Sequence, residues 1–169
     1  SPQVFSGVQE RLARFVEPFA DRLTQPAQRE HVADYLSGLV SDLKRKNVES
    51  IAYRHEQDRR NLQHFVGCAE WDERPLIEEL VQQVGRELGE EDGVIVFDPS
   101  GFPKKGQKSV GVARQWCGRL GKVENCQVGV YMAYVSRIDQ VLVDTRLYLP
   151  EEWARDRARR KAAGVPKQV

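Results

Sequence analysis

Val94 to Lys108, VIVFDPSGFPKKGQK, is the stretch on which the fold turns. A short apolar run bounded by Gly93 and Pro99 predicts a buried strand. It ends in one acid, Asp98, and gives way to a loop rich in glycine, proline and lysine. A carboxylate at the end of a buried strand is costly unless a cation balances it. A divalent metal ion or a phosphate-handling site would supply that balance.

Downstream, the period stays strand-like. Cys126 to Val135 and Gln140 to Leu149 are expected as two more strands, joined by the short connection Ser136 to Asp139 as a meander. Both faces of Cys126 to Val135 are apolar, which predicts a central strand, with Gly129 leaving room for a neighbour. On the last strand Val141, Val143, Thr145, Leu147 and Leu149 are expected on one face. Asp144 and Arg146 would share the other with Leu142 and Tyr148 as an ion pair.

Upstream of Gly93 the apolar spacing is helical. A first helix carries Val8, Leu12, Phe15, Val16 and Phe19. A second follows Pro26, presents Val32, Tyr35, Leu36, Leu39, Val40 and Leu43, and is expected to run into the basic cluster Lys44 to Lys46. Asn47 caps a short helix from Val48 to about His55, Asp58 caps one with Leu62, Phe65 and Val66, and Asp72 caps one from Leu76 to Leu88. Residues 47–70 have helix-turn-helix proportions, with a plain packing hairpin as the competing reading. His31, His55 and His64 lack ligand spacing and are given no role. The fold class expected is α+β: a helical region over 1–92, then a sheet domain beginning at 93–169.

The chain has 169 residues and no apolar run long enough to cross a bilayer, which makes a cytoplasmic protein with no membrane partner the expectation. Three cysteines, with no CxxC pair, suggest neither a disulfide framework nor structural zinc. The sole methionine is Met132, so the chain starting at Ser1 and ending at Val169 is expected to be a piece of something longer. Its net charge of +1 hides an asymmetry. Residues 1–93 hold 12 Lys+Arg against 18 Asp+Glu, or minus 6, and residues 94–169 hold 14 against 7, or plus 7. Lys104, Lys105, Lys108, Arg114, Arg119 and Lys122 fall between Pro99 and Val123 with no acid among them. They are the candidate polyanion contacts, against the plain alternative of a solvated basic loop.

Three chemistries compete for Asp98. Gly101 to Ser109, GFPKKGQKS, nearly matches a phosphate-binding loop, but Gln107 lengthens the spacing and no long helix is predicted after it. A phosphatase-like nucleophile would want a second acid two residues on, where Ser100 stands. An RNase H-like nuclease core fits the order best, because it opens with three consecutive antiparallel strands and an acid on the first. Its two divalent ions need several carboxylates, of which Asp98 is one clear instance.

The ordered blocks DPSGFPKKGQKSVGVARQWCGRLGKVENCQVGVYMAY (98–134), VLVDTRLYLPEEW (141–153) and AAGVP (162–166) resemble bacterial insertion-sequence transposases of the DDE endonuclease superfamily. So do the upstream YLSGLVSDLKRKNVESIA (35–52) and LQHFVGCAEWD (62–72). The resemblance implies the opening, incomplete part of an RNase H-like fold, with Asp98 as first catalytic Asp and metal ligand. It implies Mg2+ or Mn2+ as cofactor, insertion-sequence DNA ends as partner and work as a homo-oligomer. The family usually has Glu-Thr after that Asp, where this chain has Pro99-Ser100. The second Asp and the Glu have no counterpart, so this stretch alone is expected to be inactive and its parent to cleave and transfer DNA strands. Asp144 and Glu124 are the nearby substitutes, better suited to structural pairing. A non-catalytic DNA-binding or regulatory remnant is the alternative.

Overall fold

The computed structural model describes residues 7–167, so the chain ends Ser1 and Val169 lie outside the described residues. Contacts divide the chain into two compact units, Ser1–Gln82 and Gln83–Val169. The class is α+β, as the sequence predicts.

In the first unit α1 (Val8–Ala20) precedes α2 (Pro26–Val40), which opens on a proline in its first turn. Asn47 Oδ1 accepts from Ser50 N at 2.8 Å to start α3 (Val48–Arg54), and Asp58 Oδ1 accepts from Arg60 N at 2.8 Å to start α4 (Arg59–Gly67). Both caps stand where the sequence put them. Asp72 likewise accepts from Arg74 N, at 3.0 Å, at the start of α5 (Arg74–Leu88), which continues past Gln82.

Leu23, Ile51, Ala52, Leu62 and Phe65 form the core of this unit, with Val32, Tyr35, Leu39 and Leu76 packed against them. Gly38 lets α2 approach α3, because a Cβ there would stand 2.5 Å from Ile51 Cγ2. A polar network lies beside the core. Asp34 accepts from Gln57 and faces His55 Nδ1 at 3.3 Å, while His31 Nδ1 meets Gln57 Oε1 at 3.1 Å.

One expectation fails here: α2 stops at Val40 rather than running into Lys44 to Lys46. Ser41 Oγ donates to Gly38 O at 2.7 Å and accepts from Leu43 N at 3.3 Å. That local pairing competes with the next helical turn, leaving the cluster outside the helix.

The second unit holds a four-stranded antiparallel sheet of β1 (Val94–Pro103), β2 (Ala113–Cys117), β3 (Lys122–Val135) and β4 (Gln140–Leu147). β3 is central, as expected. β1 pairs along one edge of it, while β2 takes residues 122–126 and β4 residues 129–135 on the other. Two helices follow, α6 (Glu151–Arg155) and α7 (Arg157–Ala162). The buried residues here include Val112, Cys117, Cys126, Val143 and Trp153.

Four details of the sheet differ from the sequence reading. β1 does not end at Asp98 but pairs with β3 as far as Pro103↔Cys126. Nor is it buried: Phe97 is 64% exposed, and Val94, Ile95 and Val96 are exposed as well. β1 is an edge strand, and its prolines show why that is tolerated. Lys104 N donates to Asn125 O at 2.9 Å, so the even-numbered residues of β1 turn their N–H toward β3. Pro99 and Pro103, which have no N–H, fall on the outward positions where no ladder bond is lost.

A strand, β2, occupies a segment for which the sequence predicted none. Finally, β4 has a bulge at Val143, since Leu142 opposes Ala133 and Asp144 opposes Met132. The extra residue puts Val141 on the opposite face from Thr145 and Leu147, and separates Leu142 from Asp144. Asp144 and Arg146 do pair as predicted, at 3.0 Å.

Candidate functional site

Asp98 sits in the middle of β1, exposed, opposite Tyr131 of β3, which in turn opposes Thr145 of β4. Antiparallel partners share a face, so the three form a row, with Ser100, Gly129 and Leu147 in the next row. The rings of Phe102 and Tyr131 approach across Gly129, their centroids 6.5 Å apart. Among the described residues no cation pairs with Asp98. Because Asp98 is exposed, the expected cost of burying this carboxylate does not arise, and its position is one open to solvent and ligands.

The same face of β3 anchors the basic loop. Asn125 and Gln127 alternate with Tyr131, so they point the same way. Asn125 Nδ2 donates to the carbonyls of Lys104 (2.6 Å) and Gly106 (3.0 Å), and Gln127 Nε2 to that of Val110 (2.5 Å). Trp153 Nε1 donates to Val112 O at 2.8 Å, and Arg159 donates to Gln107 O at 3.1 Å. Gly111 turns the loop with φ of 74°, and a Cβ there would meet Tyr148 O at 2.7 Å. The loop's carbonyls are thus held inward by side chains from β3, α6 and α7, while Lys104, Lys105 and Lys108 are exposed and carry no ion pair among the described residues.

Of the other expected cations, Arg114 opposes Asn125 and so shares the face of Asp98, beside Trp116, which is 62% exposed. Arg119 lies in the 3-10 turn Gly118–Leu120. Lys122 is on the opposite face, paired with Glu124 at 3.2 Å. The Asn125 N–H, and then Lys122, hold the Glu124 carboxyl below the usual carboxylate range. Asp144 is also on that far face, bound to Arg146. Neither substitute acid converges with Asp98.

No phosphate-binding loop forms at Gly101 to Ser109, because Gly101 to Pro103 belong to β1 and the segment leads into a strand rather than a helix. For a divalent ion the fit is partial. Asp98, exposed and unpaired, suits one ligand position, but among the described residues no group of three His, Cys, Asp or Glu side chains could hold a metal. The sequence reading missed the loop anchors Asn125, Gln127, Trp153 and Arg159. Asn and Gln two apart on a central apolar strand were the legible signal, since such groups need partners when half-buried.

A protein-family model described as DDE superfamily endonuclease matches residues 18–169. The chain belongs to this family. The probable transposase for insertion sequence element IS701 of Microchaete diplosiphon is 36% identical to this DDE-family chain over 123 residues. That match takes in 68% of the chain and 30% of the relative, so the chain spans about a third of the length of the curated protein it matches. No solved structure matches it at a significant level. Among the described residues no helix is long and apolar enough to cross a membrane.

Proposed function

We propose that this chain supplies the DNA-contacting surface and the first metal ligand of an insertion-sequence transposase that cleaves and transfers DNA strands. The observation that carries this reading is the placement of Asp98 and the anchors of a cation-rich loop on one face of one sheet. Asp98 would hold Mg2+ or Mn2+ together with further acids of the parent protein, and the ion would polarise the scissile phosphate and activate the attacking oxygen. Lys104, Lys105, Lys108 and Arg114 would neutralise backbone phosphates. The division into a helical region over 1–92 and an RNase H-like start at 93, assembly as a homo-oligomer on paired DNA ends, and a cytoplasmic location belong to the same reading.

Binding of a labelled duplex, followed by fluorescence anisotropy as salt is raised, tests it. Four phosphate contacts give a slope of log affinity against log salt of roughly minus 3 to 4 from this face. K104Q/K105Q/K108Q should lower the magnitude of the slope by about 2 to 3. A flat salt response in the wild-type chain would refute DNA contact. Paramagnetic broadening by millimolar Mn2+ should centre on the amides of Asp98 and Tyr131 and vanish in Asp98→Asn. Broadening centred elsewhere would remove Asp98 from the ligand role.

A further inference from the structure

We propose that α7 and the turn after it form a second phosphate-binding surface, which grips the DNA backbone beside the basic loop. This rests on the DNA-contact reading above and extends it to residues outside the loop. α7 has the sequence RARRKA and is started by Asp156, whose Oδ1 accepts from Arg159 N at 2.8 Å. One side of the helix is taken up by structure. Arg159 lies over the Trp153 ring, 3.9 Å from its centroid, donates to Gln107 O, and approaches Glu152 at 3.7 Å.

The remaining cations face a different space. A cleft of about 590 Å³ is walled by Arg157, Arg160, Lys161 and Lys167 together with the turn Gly164 to Pro166, and among the described residues no acid lines it. A neighbouring cleft of about 380 Å³, on the Trp153 and Arg159 side, takes in Lys108 of the basic loop. α7 therefore lines two clefts, one reached by a loop cation and the other walled by four cations.

Charge complementarity selects the occupant. Arg157 lies four residues from Lys161, a spacing at which like charges on a helix repel. A bound polyanion relieves that repulsion, and a run of several cations in an open cleft matches a chain of phosphates better than one small anion. Arg159 supplies the link, because its donation to Gln107 O ties the basic loop to α7.

The test compares four forms of the 169-residue chain: wild type, R157Q/K161Q/K167Q, the charge-retaining R157K/K161R/K167R, and K104Q/K105Q/K108Q. The positions changed in α7 and the following turn are exposed, and Arg160 is left in place. Duplex affinity is measured between about 50 and 200 mM salt, with circular dichroism confirming an unchanged melting midpoint. The glutamine variant should lower the magnitude of the salt slope by about 2 to 3 while the charge-retaining variant binds as wild type. A glutamine variant with wild-type slope, beside a weakened loop variant, would overturn the α7 surface and leave the DNA reading standing. Wild-type protein that fails to bind duplex would overturn both.

Discussion

Burial governs the chemistry of Cys126. Its thiol is fully enclosed, donates weakly to Gln115 O at 3.8 Å, and lies near Cys117. Burial first, and then Cys117, push its pKa above the ordinary thiol value. A folded-state pKa raised above the unfolded one stabilises the fold fully below the unfolded pKa, near 8.5, and the effect is lost as pH rises through the folded value. The denaturation midpoint should therefore fall as pH is raised above about 8.5, and fall less in Cys126→Ala. Parallel curves for the two proteins would contradict this. Exposed Cys68 should be the first thiol to react with a disulfide reagent under native conditions, with Cys117 and Cys126 protected until unfolding. Residue-level chemistry of this kind is partly legible in sequence. Asn47 and Asp58 declare themselves as caps because capping is local, whereas the central strand predicted from Cys126 onward does not reveal that Cys117 will lie beside this thiol.

Elements were legible where their signal is internal and misread where it depends on a partner. Helices α1 to α5 were found from apolar spacing and caps, whereas the short α6 and α7 were not predicted. β1 was recognised as a strand, yet an apolar run such as Val94 to Phe97 looks alike at the edge and in the centre of a sheet. The spacing of Pro99 and Pro103 held the answer, since two prolines four apart both fall on outward positions only if the strand continues through them. The bulge at Val143 has no sequence signature, because it arises from register with β3. The contact between α2 and α3 offers a decisive test. Gly38→Ala in a helix interior would gain up to about 1 kcal/mol from propensity if space allowed. The added Cβ would instead stand 2.5 and 2.6 Å from two carbons of Ile51, which is fully buried and cannot swing away. Overpacking costs about 1 to 3 kcal/mol and should win, lowering the melting midpoint. Gly38→Ala combined with Ile51→Val should recover part of the loss through relief of the same clash. A Gly38→Ala protein more stable than wild type would show that the helices can move apart freely.

Across the whole molecule, charge and acid placement bear on what these 169 residues can do alone. Part of the positive excess of residues 94–169 lies on the side of Asp98, in Arg114 and in the loop lysines whose backbone Asn125 and Gln127 anchor, which suits phosphate contact. Cleavage asks for more. In-line attack on a phosphodiester with two divalent ions needs several carboxylates converging within a few ångströms, because each ion must be held while positions stay open for substrate oxygens. The acids of this sheet diverge instead: Asp98 faces one way, and Glu124 and Asp144 face the other, each tied to a basic neighbour. Rotamer changes cannot carry a side chain through a sheet. Incubated with supercoiled plasmid and Mn2+, the chain should shift the DNA in a salt-sensitive complex yet give no more nicked circles than Asp98→Ala does. Binding and cleavage would then be separable, with the chain sufficient for the first. Metal-dependent nicking by the wild type that disappears in Asp98→Ala would show that a complete centre can form around this carboxylate, and that acids placed apart in the sheet are brought together when DNA binds.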